Sequence, residues 1–209
     1  MSNIKLYRHA LSGHSHRVEV YLSLLGINAE IIDVDLAAGA HKQNEFLKKN
    51  AFGQVPVLED GDVTLSDSNA ILVYLANKYS DSAQWLGSNA VDIANVQRFL
   101  SIAASRVANG PASARLVNVF GAGLDHQAAI TTSHELLSVL NAHLADRKWL
   151  VGEQLTLADV ANYTYIAHAP EGDVSLDNYP HIIRWLANFE QLKGFVGMQK
   201  TAVGLLKVA

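Results

Sequence analysis

Strand-like patterning is confined to the front of the chain. Up to Tyr79, short β-branched or alternating segments take turns with helical periodicity; beyond Asn89 only helical periodicity remains. A chain patterned this way has to fold as two bodies, a small α/β unit and an all-helical one. The predicted division is a first domain over residues 1–79, a polar linker over 80–89 and an all-helical domain over 90–209. At 209 residues with 49% apolar and 17% charged composition, each part has enough material for a core.

Within the first domain, Ile4-Lys5-Leu6-Tyr7 reads as a strand, and residues 11–16 as a polar turn. From Arg17, the residues Val18, Tyr21, Leu22 and Leu25 recur at helical spacing, with Gly26 as a stop. Residues 30–34 form a second strand, parallel to the first because a helix connects them. Residues 42–49 suggest a short helix. Val55-Pro56-Val57-Leu58-Glu59 is a strand opened by a proline, which suits a tight turn that can hold a cis bond. Asp60-Gly61 signals a hairpin into Val63-Thr64-Leu65, and residues 66–79 are helical. The order is β-α-β-α-β-β-α. Further on, helices are expected over 91–109, 114–119 and 126–147, from Thr156, and over 181–191. Thr156-Leu157-Ala158-Asp159 has the spacing of a capping box.

Bulk properties narrow the function. A net charge of −4 and no run of Lys or Arg argue against a nucleic-acid partner. No apolar run reaches membrane-spanning length, and the N-terminus lacks a signal-peptide pattern, so no membrane partner and a cytoplasmic location are expected. The chain has no cysteine, which removes disulfides, thiolate metal sites and a protein thiol nucleophile.

Four segments carry possible chemistry. Ser12-Gly13-His14-Ser15-His16-Arg17 lies before a helix, where free N–H groups favour an anion; Ser12 or Ser15 serves equally as a helix cap. His41-Lys42 can hold a carboxylate or form a solvated surface pair. In Gln54-Val55-Pro56 the Val55 backbone can pair with an extended ligand. Asp67-Ser68 opens a helix, where the carboxylate can take an ammonium and Ser68 a carboxylate. A serine hydrolase does not fit, because Gly13-His14-Ser15-His16-Arg17 is not a nucleophile elbow. A zinc site from His9, His14 and His16 lacks ligand spacing. Gly121-Ala122-Gly123 is too incomplete for a dinucleotide loop.

In order and spacing, these segments resemble the glutathione transferase family. The resemblance extends through Phe52-Gly53-Gln54-Val55-Pro56-Val57-Leu58, Leu65-Ser66-Asp67-Ser68-Asn69-Ala70-Ile71 and Leu150-Val151-Gly152 to Asp159. It implies a thioredoxin-like N-terminal domain that binds glutathione, followed by a C-terminal helical bundle domain. Asp67 and Ser68 then hold the γ-glutamyl end, Val55 the cysteinyl backbone, and Gln54, His41 and Lys42 the remaining backbone and glycine carboxylate. The chain looks like a serine-type member, because Ser12 stands five residues before Arg17, with Ser15 the second choice and Tyr7 read as packing; it looks bacterial-like in the segment His168-Ala169-Pro170-Glu171-Gly172. The implied reaction is conjugation of the glutathione thiolate to a small hydrophobic electrophile, with glutathione as co-substrate and no metal. Peroxidase, dehalogenase or isomerase chemistry, or a non-catalytic binding module, are the alternatives on the same fold. His14, Arg106 and Phe120 are the candidates for the electrophile pocket, and a homodimer is expected.

Overall fold

The computed structural model describes residues 4–207. By packing, the chain divides into two compact units. One runs through Ser82 and also takes in Leu192–Gln199; the other runs from Ala83 to Gln191 and resumes at Lys200.

In the first unit, β1 (Ile4–Arg8), α1 (Gly13–Leu24) and β2 (Glu30–Asp33) form the βαβ motif. A 3₁₀ turn (Ala40–Lys42) and α2 (Asn44–Leu47) follow. Then come β3 (Val57–Asp60), β4 (Val63–Ser66) and α3 (Ser68–Tyr79). The sheet order is β2-β1-β3-β4. β1 is parallel to β2 and antiparallel to β3, and β3 is antiparallel to β4. Alternation puts Ile4 and Leu6 of β1 on one buried face, and α1 packs against α3, with Val18, Tyr21, Ile71, Leu72 and Leu75 all buried. A smaller cluster of Val34, Phe46 and Val57 sits beside α2. The hairpin register pairs Asp60 with Val63, so the two-residue turn is Gly61-Asp62, one residue beyond the expected Asp60-Gly61.

Local boundaries differ from expectation where polar side chains are buried. α1 begins at Gly13, four residues before Arg17. Its first turn is hydrophilic yet enclosed: Ser15, His16 and Arg17 are all buried. Each makes hydrogen bonds that offset part of the cost of burial. Ser15 Oγ accepts from His9 N at 3.3 Å, His16 Nε2 bonds Val196 O at 2.8 Å, and Arg17 bonds Ser68 and Asn69. The His16 bond ties down Leu192–Gln199. There Gly194, at φ +90°, approaches Ser23 so closely that a Cβ would lie 2.9 Å from its carbonyl oxygen.

The stretch expected as linker contains α4 (Ser82–Leu86), whose Trp85 is buried. The second unit continues with α5 (Ala90–Ile102), a π-helical passage (Ala103–Ala112) and α6 (Ser113–Phe120). Sequence periodicity breaks between Asn109 and Ala114, but the chain stays helical. Pro111 has no N–H to give an α-helical ladder, and the passage around it runs in the wider π register instead. α7 (His126–His143), α8 (Leu157–Ala167) and α9 (Pro180–Glu190) complete the unit. Among the described residues, no helix is long and apolar enough to cross a membrane.

Inside this unit Glu171 is fully buried beside Arg115. It accepts from Arg115 Nε at 2.5 Å, from Thr201 N at 3.1 Å, and bonds His168 Nδ1 at 2.7 Å. Burial alone would raise its pKa; the His168 bond and the Arg115 charge outweigh it and hold the carboxyl at about 2. A depressed acid stabilises the fold above its unfolded pKa and loses that contribution as pH falls through the folded value. Stability should therefore decline from about pH 4.5 toward about pH 2. Thermal midpoints measured across that window should fall in the wild type and lose most of this slope in Glu171→Gln. An equal slope in the variant would exclude Glu171 as its source.

Candidate functional site

The first unit has a solvent-open cavity of about 370 Å³. It is lined by His14 of α1, His41 and Lys42 of the 3₁₀ turn, Asn50 to Pro56 in part, and Asp67 and Ser68 at the head of α3. All six residues expected to bind the ligand thus line one cavity, although they come from three separate segments.

Each segment is held by local geometry. Asp67 caps α3 by accepting from Ala70 N at 2.9 Å, and does so at φ +69°, a left-handed conformation uncommon for a side chain other than glycine. Such strain at a cavity edge costs on the order of 1–3 kcal/mol and marks a placed side chain. The Val55–Pro56 bond is cis. Gly53, at φ +57°, abuts the 3₁₀ turn: a Cβ there would sit 2.7 Å from His41 O. Lys42 Nζ reaches across to Phe52 O at 3.3 Å and Gly53 O at 3.0 Å, so two of its three donors already hold the loop.

Asn50 is a residue that sequence reasoning missed. It is buried, donates from Nδ2 to Gln54 O at 2.8 Å and accepts from Phe52 N at 3.1 Å. Its role is to shape the loop that presents Gln54 and Val55. An asparagine before a turn is an ordinary sequence event, so nothing local distinguishes it. Arg17, buried on α1, donates from Nη1 to Ser68 Oγ at 2.9 Å beside this cavity wall.

The hydroxyl candidates separate clearly. Ser12 is the N-cap of α1, partly exposed, and its Oγ accepts from Ser15 N at 3.3 Å. That bond uses an oxygen lone pair and leaves the hydroxyl hydrogen to donate elsewhere. Ser12 adjoins the cavity in sequence but is not among its lining residues. Ser15 is fully buried, and its oxygen faces His9 N. Tyr7 donates to Glu59 Oε2 at 2.9 Å, a carboxylate that also pairs with Lys49, so its hydroxyl is engaged within the sheet.

His14 was expected on the electrophile side. Because α1 starts at Gly13, His14 falls in the first helical turn and shares the cavity with Asp67 and Ser68, its Nδ1 3.3 Å from Ser68 Oγ. Burial, then the Arg17 charge, push its pKa down to about 4 against the opposing pull of Asp67. Arg106 and Phe120 belong to the helical unit. Arg106 pairs loosely with Glu135 at 3.5 Å, and Phe120 ends α6 at 44% exposure. Chemically, an acidic group and a basic pair on separate walls of one cavity suit an extended ligand carrying both charges.

Comparison with known proteins gives one consistent result. The model of the glutathione S-transferase N-terminal domain matches residues 2–77, and that of the C-terminal domain residues 125–193. "Glutathione S-transferase 3" of Zea mays is 33% identical over 98% of this chain and 96% of its own length. Among solved structures, a glutathione S-transferase from Pseudomonas fluorescens superposes with a TM-score of 0.87 at 30% identity, covering 94% of this chain and 99% of its own. A glutathione transferase homologue from Drosophila mojavensis, solved with bound glutathione, gives 0.84 at 29%, covering 92% and 89%.

Proposed function

The chain belongs to the glutathione S-transferase family, and from that premise we propose that Ser12 activates glutathione for attack on a small hydrophobic electrophile. The protein is a glutathione transferase. The observation that carries the detailed reading is the single cavity lined by His41, Lys42, Gln54, Val55, Asp67 and Ser68. In this reading Asp67 takes the ligand ammonium, Val55 pairs through its backbone with the cysteinyl unit, and His41 with Lys42 takes the glycine carboxylate. The burial of Ser15 and the engagement of Tyr7 with Glu59 support Ser12, and with it a serine-type mechanism. Assembly as a homodimer, expected from the family, is tested by sedimentation equilibrium.

Retention on immobilised glutathione, followed by turnover of a chloronitrobenzene, is the direct test. Retention with turnover is expected. Neither retention nor turnover would reduce the protein to a non-catalytic module, and turnover of an organic hydroperoxide alone would redirect it to peroxide reduction.

Asp67→Gly tests the cavity wall separately. Glycine removes strain of about 1–3 kcal/mol and weakens the cap by only a few tenths. The thermal midpoint is expected to hold or rise slightly, while glutathione affinity drops by about tenfold or more through loss of a charged partner. A variant that unfolds early yet binds normally would contradict both halves.

A further inference from the structure

The charged and amide side chains of the cavity have work to do at the two ends of the ligand; its apolar wall does not. Among the described residues that wall consists of Leu36, Val55 and Pro56. Leu36 is half-buried and follows β2 in a tight turn, where its carbonyl accepts from Gly39 N at 3.1 Å. Leu36 and Val55 both pack against the buried cluster of Val34, Phe46 and Val57, so the two share one apolar patch. Sheet topology also brings Leu36 toward Ser12. β1 and β2 are parallel neighbours with Arg8 opposite Asp33, and Val34 N extends the pairing by donating to Arg8 O at 2.7 Å. Both strands therefore leave the sheet at the same edge, one leading into the turn that holds Ser12 and the other into the turn that holds Leu36. The carboxyl ends of parallel strands are where open α/β sheets take their ligands.

We propose that Leu36 is a specificity-determining residue for the electrophile: its side chain packs against the apolar body of the group that joins the glutathione sulfur, and so favours an extended or aromatic electrophile over a methyl donor. The proposal rests on the glutathione reading. With the cysteinyl backbone on Val55 and the sulfur at Ser12, the substituent on that sulfur is flanked by the remaining member of the patch, Leu36. In conjugation of a chloronitrobenzene the sulfur–carbon bond forms, the carbon–chlorine bond breaks with its electron pair leaving on chloride, and the thiol proton passes to solvent. The sulfur then carries an aromatic ring, whose apolar surface is stabilised wherever a neighbouring side chain removes it from water. Leu36 has exposed apolar surface to offer there, and its fixed turn and the cluster behind it hold that surface in place. Glutathione itself ends at the sulfur and gains little from this contact.

The test uses three ligands and three proteins. Glutathione, S-methylglutathione and S-butylglutathione, the last two standing in for conjugates with a small and a longer apolar group, are titrated calorimetrically into wild type, Leu36→Ala and Leu36→Met. A fully buried methylene is worth about fourfold in affinity, so wild type should bind the butyl ligand about fivefold or more tighter than the methyl one. Leu36→Ala should weaken S-butylglutathione about threefold to tenfold and change glutathione and S-methylglutathione by less than about twofold. Unchanged glutathione binding also serves as the control for folding. Leu36→Met, which conserves volume and apolar character, should keep most of the preference for the butyl ligand. Equal losses for glutathione and S-butylglutathione in Leu36→Ala would overturn the proposal, as would no loss for either, or a methionine variant as weak as alanine. A wild type that binds glutathione but gains nothing from the butyl chain would overturn this proposal alone. A wild type that fails to bind glutathione would remove the underlying reading and this proposal with it.

Discussion

Replacing Asp159 by alanine is expected to destabilise the protein by about 4 kcal/mol, one of the largest effects available to a single polar residue here. The carboxylate is fully buried and serves four donors. Oδ1 accepts from Leu150 N at 2.9 Å and Trp185 Nε1 at 3.0 Å; Oδ2 accepts from Thr156 N at 3.0 Å and Thr156 Oγ1 at 3.3 Å. It thereby closes the capping box of α8, anchors the preceding loop and fixes a buried tryptophan of α9. Alanine orphans three buried N–H groups, each costing about 1–3 kcal/mol, partly offset because a buried charge also disappears. For a chain of this size that corresponds to a thermal midpoint lower by roughly 10 °C.

Asp159 also leaves a pH signature. Burial pushes its pKa up to about 6, against the N–H bonds that favour the anion. A raised acid holds its proton in the folded state where the unfolded chain has released it. Stability therefore falls as pH rises from about 4 to about 6, and is level above that. Asp159→Asn keeps the two bonds at Oδ1 but turns an amide N–H toward Thr156. It should lie between wild type and alanine in stability and lack the slope. A persistent slope in the asparagine variant, or an alanine variant as stable as wild type, would refute this role.

Removing the Ser12 hydroxyl should cost catalysis rather than fold. A free thiol has a pKa of about 8.5, so only a few per cent is ionised at neutral pH. Lowering it by about two units needs roughly 2.7 kcal/mol of preference for the anion. One hydroxyl hydrogen bond to a charged group supplies about 1.5–3 kcal/mol, and the N-terminus of α1 adds a fraction. Ser12→Gly is the cleaner variant, because glycine costs a helix cap only a few tenths of a kcal/mol while alanine costs about 1. The thiolate absorbance of bound glutathione, followed against pH, should shift upward by one to two units, with roughly a tenfold to hundredfold loss in kcat/KM near neutrality. Ser15→Ala, which alters a buried bond to His9, should shift stability and leave the titration alone. A normal titration in Ser12→Gly would remove Ser12 from the role.

Much of this architecture was legible before any coordinates. Period-2 and period-3.6 patterns locate β1 to β4 and most helices, and Thr156 with Asp159 declares the start of α8, because these signals come from residues within one or two turns of each other. The cavity-lining loops were legible for the same reason: Gln54-Val55-Pro56 and Asp67-Ser68 are short strings. The polar start of α1 was not. Ser15, His16 and Arg17 read as a solvated turn, and only partners far along the chain make their burial affordable: Ser68 for Arg17, 51 residues away, and Val196 for His16, 180 away.

The sequence by itself determined that an α/β unit precedes an all-helical one, and picked out the short loops that line the cavity. Those features follow from local periodicity, caps and turns. Tertiary structure alone decided that Leu192–Gln199 returns to the first unit, that the chain passes Pro111 without breaking, and that His14 joins Asp67 and Ser68 on the cavity wall. The first and last depend on partners supplied by remote segments, which no window of neighbouring residues contains, and the second on a local switch to π register that helical periodicity does not signal.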